Sequence, residues 1–239
     1  MTKQQSLYVA GHSVSYTTHF SSRARQLSLR ISPEAGLVLV IPKRLRGKDI
    51  NYEELLKSKI RWIAQKLENV ARLQQKKLSF IDGSTLSLQG NQVTLRIIQT
   101  TQGRATAYLE RDALLVLTRL TDEIRVKAIV KAWCKQLAKH TIPLRVEELN
   151  APHGISYKKI VVRDQRSRWG SCSRKGTLSF NWRLVLVPPS VLDYLIYHEL
   201  AHVQEMNHSI RYWRLVQSLC PMYREAEHWL KENGRSMFW

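Results

Sequence analysis

Three features predict an α+β chain in two parts. Short alternating runs broken by turn residues fill the first 120 positions, two long stretches carry apolar residues at helical spacing, and a short apolar helix near residue 190 holds imidazole and carboxylate side chains. The expected division is a small β-rich N-terminal domain with a long helix over residues 1–120, and a second domain over residues 121–239 in which antiparallel strands pack on helices.

Residues 27–42 (LSLRISPEAGLVLVIP) alternate apolar and polar positions on either side of Pro33-Glu34-Ala35-Gly36, the pattern of a half-buried antiparallel hairpin. From Tyr52 to Lys77, Leu55, Leu56, Ile60, Ile63, Leu67, Val70 and Leu73 recur at helical spacing, with Lys and Arg on the other face. Asp82-Gly83, Gly90-Asn91 and Gly103 then punctuate short runs such as VTLRII and ALLVL, predicting a small sheet that closes near Leu120.

A second long helix is expected from Asp122 to Leu149, with Pro143 disturbing its last turns. Strands follow at Lys159–Asp164 and Thr177–Val187, before Pro188-Pro189-Ser190 opens another helix, with Ser190 in the capping position. No internal repeat is evident.

The formal charge of +19 and a pI near 10.2 make the surface electropositive and attract polyanions, so nucleic acid, nucleotides and acidic substrates all suit it. A solvated basic surface that serves only solubility would carry the same charge. No apolar stretch reaches the roughly 20 residues of a membrane span, and MTKQQS is no signal region, so a cytoplasmic protein without a membrane partner is expected. Three cysteines (Cys134, Cys172, Cys220) at wide spacing fit neither a disulfide framework nor a zinc knuckle.

The chemistry resides in VLDYLIYHELAHVQE (191–205), which contains His198-Glu199-Leu200-Ala201-His202 in an apolar helical pattern. At about 100° per residue, a separation of four puts both imidazoles on one helix face, where they can share a zinc ion with Glu199 beside it as base. Two buried helical histidines can also be ordinary core residues, but Val191, Leu192, Leu195, Ile196, Leu200 and Ala201 make this helix apolar enough that unpartnered His and Glu would be costly.

His208 follows His202 by six residues and would point about 240° away on a continuous helix. The helix must therefore end first, and Asn207, tolerant of the left-handed conformation, is the expected stop. His208 then becomes the third ligand, with Glu205, Glu225, Glu227 and His228 as alternatives. The spacing equals that of H-E-x-x-H-x-x-G-x-x-H, with Glu205 in the glycine position.

Arg166–Ser173 (RSRWGSCS), Leu178–Leu186 (LSFNWRLVL), Pro188-Pro189, YHELAH and NHSIRYW resemble, in order and spacing, the YgjP-like metallopeptidase family. The N-terminal hairpin, the long helix and FIDGSTLSLQGNQVTLRI also look like that family, so the resemblance spans nearly the whole chain. It implies a zincin-like C-terminal domain related to SprT-like and WLM-type proteases, one zinc on His198, His202 and His208, and Glu199 as base. Val203-Gln204-Glu205 departs from the more basic or His-containing stretch of many relatives, which bears on substrate choice.

Around this centre, Arg168, Trp169, Gly170 and Ser171 are candidates to hold substrate or a developing oxyanion, the alternative being a packed turn. Asn181 and Arg183 alternate with Phe180 and Trp182 on the expected strand, so one pair should face the helix. Tyr212 and Trp213 are expected to pack behind the ligands. Cys172 lacks a His-Asp partner for thiol catalysis.

A peptide or protein is the expected substrate. Two rivals accompany that reading. Lys158–Arg183 holds eight Lys/Arg against Asp164 alone, which suits a nucleoside triphosphate pyrophosphohydrolase. A DNA-associated protease of the SprT-like kind would use the overall charge.

Overall fold

The computed structural model describes residues 4–9, 12–32, 35–48, 50–75 and 78–239. The chain forms two compact units, 1–77 and 78–239.

In the first unit, β1 (Gln4–Val9), β2 (His12–Ser21), β3 (Ser28–Ser32) and β4 (Gly36–Pro42) form one sheet in the order β1-β2-β4-β3. The strands β3 and β4 pair antiparallel, as the alternation of 27–42 predicts, while β2 and β4 run parallel. The expected turn at Pro33-Glu34 lies outside the described residues. Instead of one helix, two follow: α1 (Tyr52–Ser58), capped by Asn51, whose side chain accepts from the Glu54 N–H at 3.1 Å, and α2 (Ile60–Gln75). They separate at Lys59, and residues 76–77 of the expected helix are outside the described set. Leu37, Leu56 and Ile63 form the small core.

The second unit opens with β5 (Thr85–Leu88), β6 (Asn91–Gln99), β7 (Thr106–Glu110) and β8 (Ala113–Thr118), in the order β5-β6-β8-β7. Two antiparallel hairpins are joined through a parallel β6–β8 pair. This is the strand order and pairing of the first sheet, a repeat of topology that the sequence did not suggest. Leu86, Leu88, Val93, Leu95, Leu114 and Val116 alternate inward and share one core with Val126, Val130 and Cys134 of α3 (Glu123–Asn150). That shared core is why the compact units divide at 77/78 and not at 120/121: the sheet cannot bury its apolar face without α3.

α3 starts where expected, with the Asp122 carboxylate accepting from the Arg125 N–H at 2.9 Å, and it continues through Pro143. Next come β9 (Lys159–Arg163), β10 (Gly170–Cys172) and β11 (Thr177–Asn181), in the order β10-β11-β9. The sheet is mixed, since β11 pairs antiparallel with β10 but parallel with β9, against the expectation of antiparallel strands throughout. β11 also stops at Asn181: its side chain accepts from the Arg183 N–H and turns the chain into a buried 3-10 turn, Trp182–Leu186.

The motif helix α4 spans Pro189–Gln204, with Pro188 in the capping position and not Ser190. The β5–β6 turn docks on its start. Gln89 and Gly90 both adopt positive φ, and a Cβ at Gly90 would lie 2.9 Å from Pro189 Cδ, so only glycine fits. Helices α5 (Ile210–Leu219) and α6 (Tyr223–Asn233) complete the fold, which is α+β. No helix among the described residues is long and apolar enough to cross a membrane.

Candidate metal centre

Val191, Leu192, Leu195, Ile196, Leu200 and Ala201 are buried as the helical pattern predicts, and they fix the rotation of α4. His198, Glu199 and His202 lie on one side of this helix, in line with Val191 and Leu195, and Glu199 and His202 are themselves buried. α4 ends two residues earlier than expected: Glu205 adopts an extended conformation (φ −130°, ψ 99°), and Asn207 has no positive φ. The chain turns there, Ser209 caps α5 by accepting from the Tyr212 N–H, and His208 is carried back over α4.

The result is convergence of the three imidazoles, with one ring nitrogen from each of His198, His202 and His208 within 4.8 Å of the others. His198 Nε2 and His208 Nε2 stand 3.4 Å apart, close to the roughly 3.3–3.4 Å edge of a tetrahedron with metal–nitrogen bonds of about 2.0–2.1 Å. Among the described residues Glu205, Glu225, Glu227 and His228 do not join this cluster.

Groups around the three histidines set their orientation. His202 Nδ1 lies 3.1 Å from the Glu205 carbonyl and His198 Nδ1 lies 3.4 Å from the Tyr194 hydroxyl, so a proton on either Nδ1 leaves Nε2 bare for a metal. Tyr212 stacks on His202 with ring centroids 4.5 Å apart and donates its hydroxyl to the His198 carbonyl at 3.2 Å. Trp213 stacks on His208. Tyr194, four residues before His198 on the same face of α4, is a neighbour that the motif alone does not reveal; the i, i+4 spacing was its signal.

Burial, and then the neighbouring His202 and His208, push His198 down to about 3. Burial also lowers His202, partly opposed by the Glu205 carbonyl. His198 and His202 therefore favour the neutral form that binds metals. Burial pushes Glu199 up to about 8, and its Oε2 is buried without a hydrogen-bond partner. Three converging imidazoles, with an orphaned buried carboxylate oxygen on the residue next to His198, fit a divalent ion with water as the missing partner. His208 is exposed, which leaves the centre open on one side.

The residues of RSRWGSCS divide. Gly170 lies directly against Glu199: a Cβ there would fall 2.8 Å from Cδ and 2.9 Å from Cγ of the carboxyl side chain. Trp169 packs edge-on against Phe238, and its carbonyl accepts from the Asn181 N–H. Arg168 is exposed, with its carbonyl taken by the Asn181 side chain. Ser171 alternates with Gly170 and Cys172 and so points to the opposite face of β10.

Asn181 and Arg183 are fully engaged elsewhere. The Asn181 amide donates to the carbonyls of Gln165 and Arg168. Arg183 donates to Asp164 Oδ1 at 2.7 Å and to the carbonyls of Met237 and Trp239, and its side chain is only 7% exposed. Asp164 also accepts from Trp182 and pairs with Lys131 and Lys135 of α3. Both residues therefore brace the fold and have no polar group left for a substrate, which sets them apart from the substrate-binding candidates.

No curated protein matches the chain. Among solved structures it is similar to the metallopeptidase zymogen abylysin of Pyrococcus abyssi, at 20% identity over 40% of this chain and 97% of that one, with a TM-score of 0.36. It is also similar to the metallopeptidase zymogen jannalysin of Methanocaldococcus jannaschii, at 23% identity over 38% and 95%, with a TM-score of 0.35. The YgjP-like metallopeptidase domain model matches residues 25–233, and the chain belongs to that family of hydrolytic metalloenzymes.

Proposed function

We propose that this chain is a zinc-dependent peptidase in which His198, His202 and His208 hold the metal and Glu199 is the general base. The observation that carries the reading is the convergence of three imidazoles, with the buried, unpartnered Glu199 Oε2 on the residue next to His198. When bound, zinc supplies a Lewis acid for the scissile carbonyl and for water.

The protein supplies the proton path and the peptide rail. Glu199 takes the proton of the attacking water and returns it to the leaving amine as the C–N bond breaks. The bonds from the Asn181 N–H to the Trp169 carbonyl and from the Ser173 N–H to the Thr177 carbonyl turn the backbone groups of 169 and 173 toward β11. By alternation, the N–H and C=O groups of Gly170 and Cys172 face the free edge of the sheet, where an extended peptide can add as a strand beside Glu199. An edge strand against an H-E-x-x-H helix supports a zincin-like reading of the domain.

Phosphoanhydride cleavage loses part of its basis, because Arg183, one of the cations of Lys158–Arg183, is spent on Asp164 and the C-terminal carbonyls. Screening the zinc-loaded protein against a peptide library and a nucleotide panel, with Glu199→Gln as the blank, tests the assignment. Peptide products that vanish in the variant are expected; pyrophosphate release without peptide cleavage contradicts it.

A further inference from the structure

Beyond the metal centre, the hairpin that begins with the edge strand ends in a basic recess. Ser156, Lys158, Ser173, Arg174, Lys175, Gly176, Val203 and Met206 line a space of about 520 Å³. None of these residues is acidic, and among the described residues Lys158, Arg174 and Lys175 form no ion pair. All three are exposed.

The recess is built on a rigid turn. The Gly176 N–H donates to the Ser173 carbonyl at 2.8 Å, the Thr177 N–H to Ser173 Oγ at 3.1 Å, and the Lys158 N–H to the Gly176 carbonyl at 2.8 Å. Gly176 has φ +73°, and a Cβ there would meet the Lys158 nitrogen at 3.2 Å. Arg174 and Lys175 are thereby held at the tip of the turn, with Lys158 pinned beside them. Ser173 Oγ accepts from Thr177, which leaves its own proton free to donate.

Position gives the recess its meaning. Ser173 lies three residues beyond Gly170, roughly 10 Å along an extended strand. Val203 and Met206, one and four residues after His202, form its other wall. A peptide laid along β10 with its scissile carbonyl at the imidazoles therefore carries the side chain about two to three positions away into this space.

Resting on the peptidase reading, we infer that the recess formed by Lys158, Arg174 and Lys175 is a substrate subsite selecting an acidic side chain, Asp or Glu. The three cations and the Ser173 hydroxyl favour a carboxylate there, and the same charges repel Lys or Arg. Because the groups are exposed, the preference weakens with salt.

The test uses extended peptides identical except for Glu, Gln or Lys at each position in turn. Their affinity for zinc-loaded Glu199→Gln is read by fluorescence anisotropy and their cleavage by the unsubstituted enzyme. The expected result is a Glu-over-Gln preference of about tenfold at one position, two to three residues from the cut, as three partly screened ion pairs would give. It should fall to near unity in Lys158→Ser/Arg174→Ser/Lys175→Ser, whose folding is checked by its melting temperature. Equal affinity for Glu and Gln peptides, or a preference that survives the triple replacement, overturns the subsite. So does recess-dependent binding of a nucleoside triphosphate by a protein indifferent to peptide charge. Acid-selective binding without cleavage would keep the subsite and remove the peptidase reading instead.

Discussion

Gly170 lies against the Glu199 carboxyl group so closely that there is no room for a Cβ between the edge strand and the proposed base. The backbone of β10 thus forms one wall of the pocket that holds Glu199.

Replacing Gly170 by Ala should displace the carboxylate without touching the three clustered histidines. The expected outcome is a fall in kcat of about 100-fold, the scale of a misplacement near 1 Å. Zinc content should remain at the level of the parent protein by elemental analysis. Parent-like kcat in Gly170→Ala contradicts the contact.

Tyr212 has two separable roles, stacking on His202 and bonding the His198 carbonyl. Tyr212→Phe keeps the ring and should cost about 1 kcal/mol of stability. Tyr212→Ala opens a cavity in the core and should cost about 3–5 kcal/mol, with weaker metal binding. Denaturant unfolding of the two variants separates these effects.

Asp164 gathers Lys131, Lys135, Trp182 and Arg183 on one carboxylate. Burial alone would raise its pKa, but the bonds from Lys135, Trp182, Arg183 and Lys131 outweigh that and hold it well below the usual carboxylate range. Its folded pKa lies below the unfolded one, so its contribution is complete above about pH 4 and declines as pH falls below that. Asp164→Asn should lose roughly 2–4 kcal/mol near neutral pH, less than a fully buried pair because Asp164 is one-third exposed. The variant should also show a shallower loss of stability between about pH 4 and 2. Identical acid-unfolding profiles would remove Asp164 from this role.

Cys134 is fully buried and burial pushes its thiol up to about 12. It should resist iodoacetamide in the native protein at pH 8, while Cys172 and Cys220, half-buried, react first. Mass spectrometry of partly labelled protein reads the order.

The helices and the three converging histidines were legible because their signals are local. Apolar spacing set the face of α4, the i, i+4 pair set two imidazoles, and the distance to His208 required a break in the helix. The break itself was misplaced, since an extended Glu205 ends α4 and no left-handed residue is needed. Asn181 and Arg183 were misread because a polar residue on a strand pattern looks the same whether it faces a cleft or a buried carboxylate. Only the tertiary placement of Asp164 distinguishes them. The boundary at 120 failed for a similar reason, as the apolar face of β5–β8 is completed by α3, which lies beyond it in sequence.

The central claim is that three imidazoles hold one ion. Zinc titration of metal-stripped protein, read by calorimetry, tests it most directly. About one zinc per chain is expected, retained in Glu199→Gln and lost or weakened by a factor of at least about 100 in His202→Ala and His208→Ala, at roughly 1.4 kcal/mol per tenfold change. Absence of stoichiometric binding, or undiminished binding after both histidines are replaced, would contradict the account.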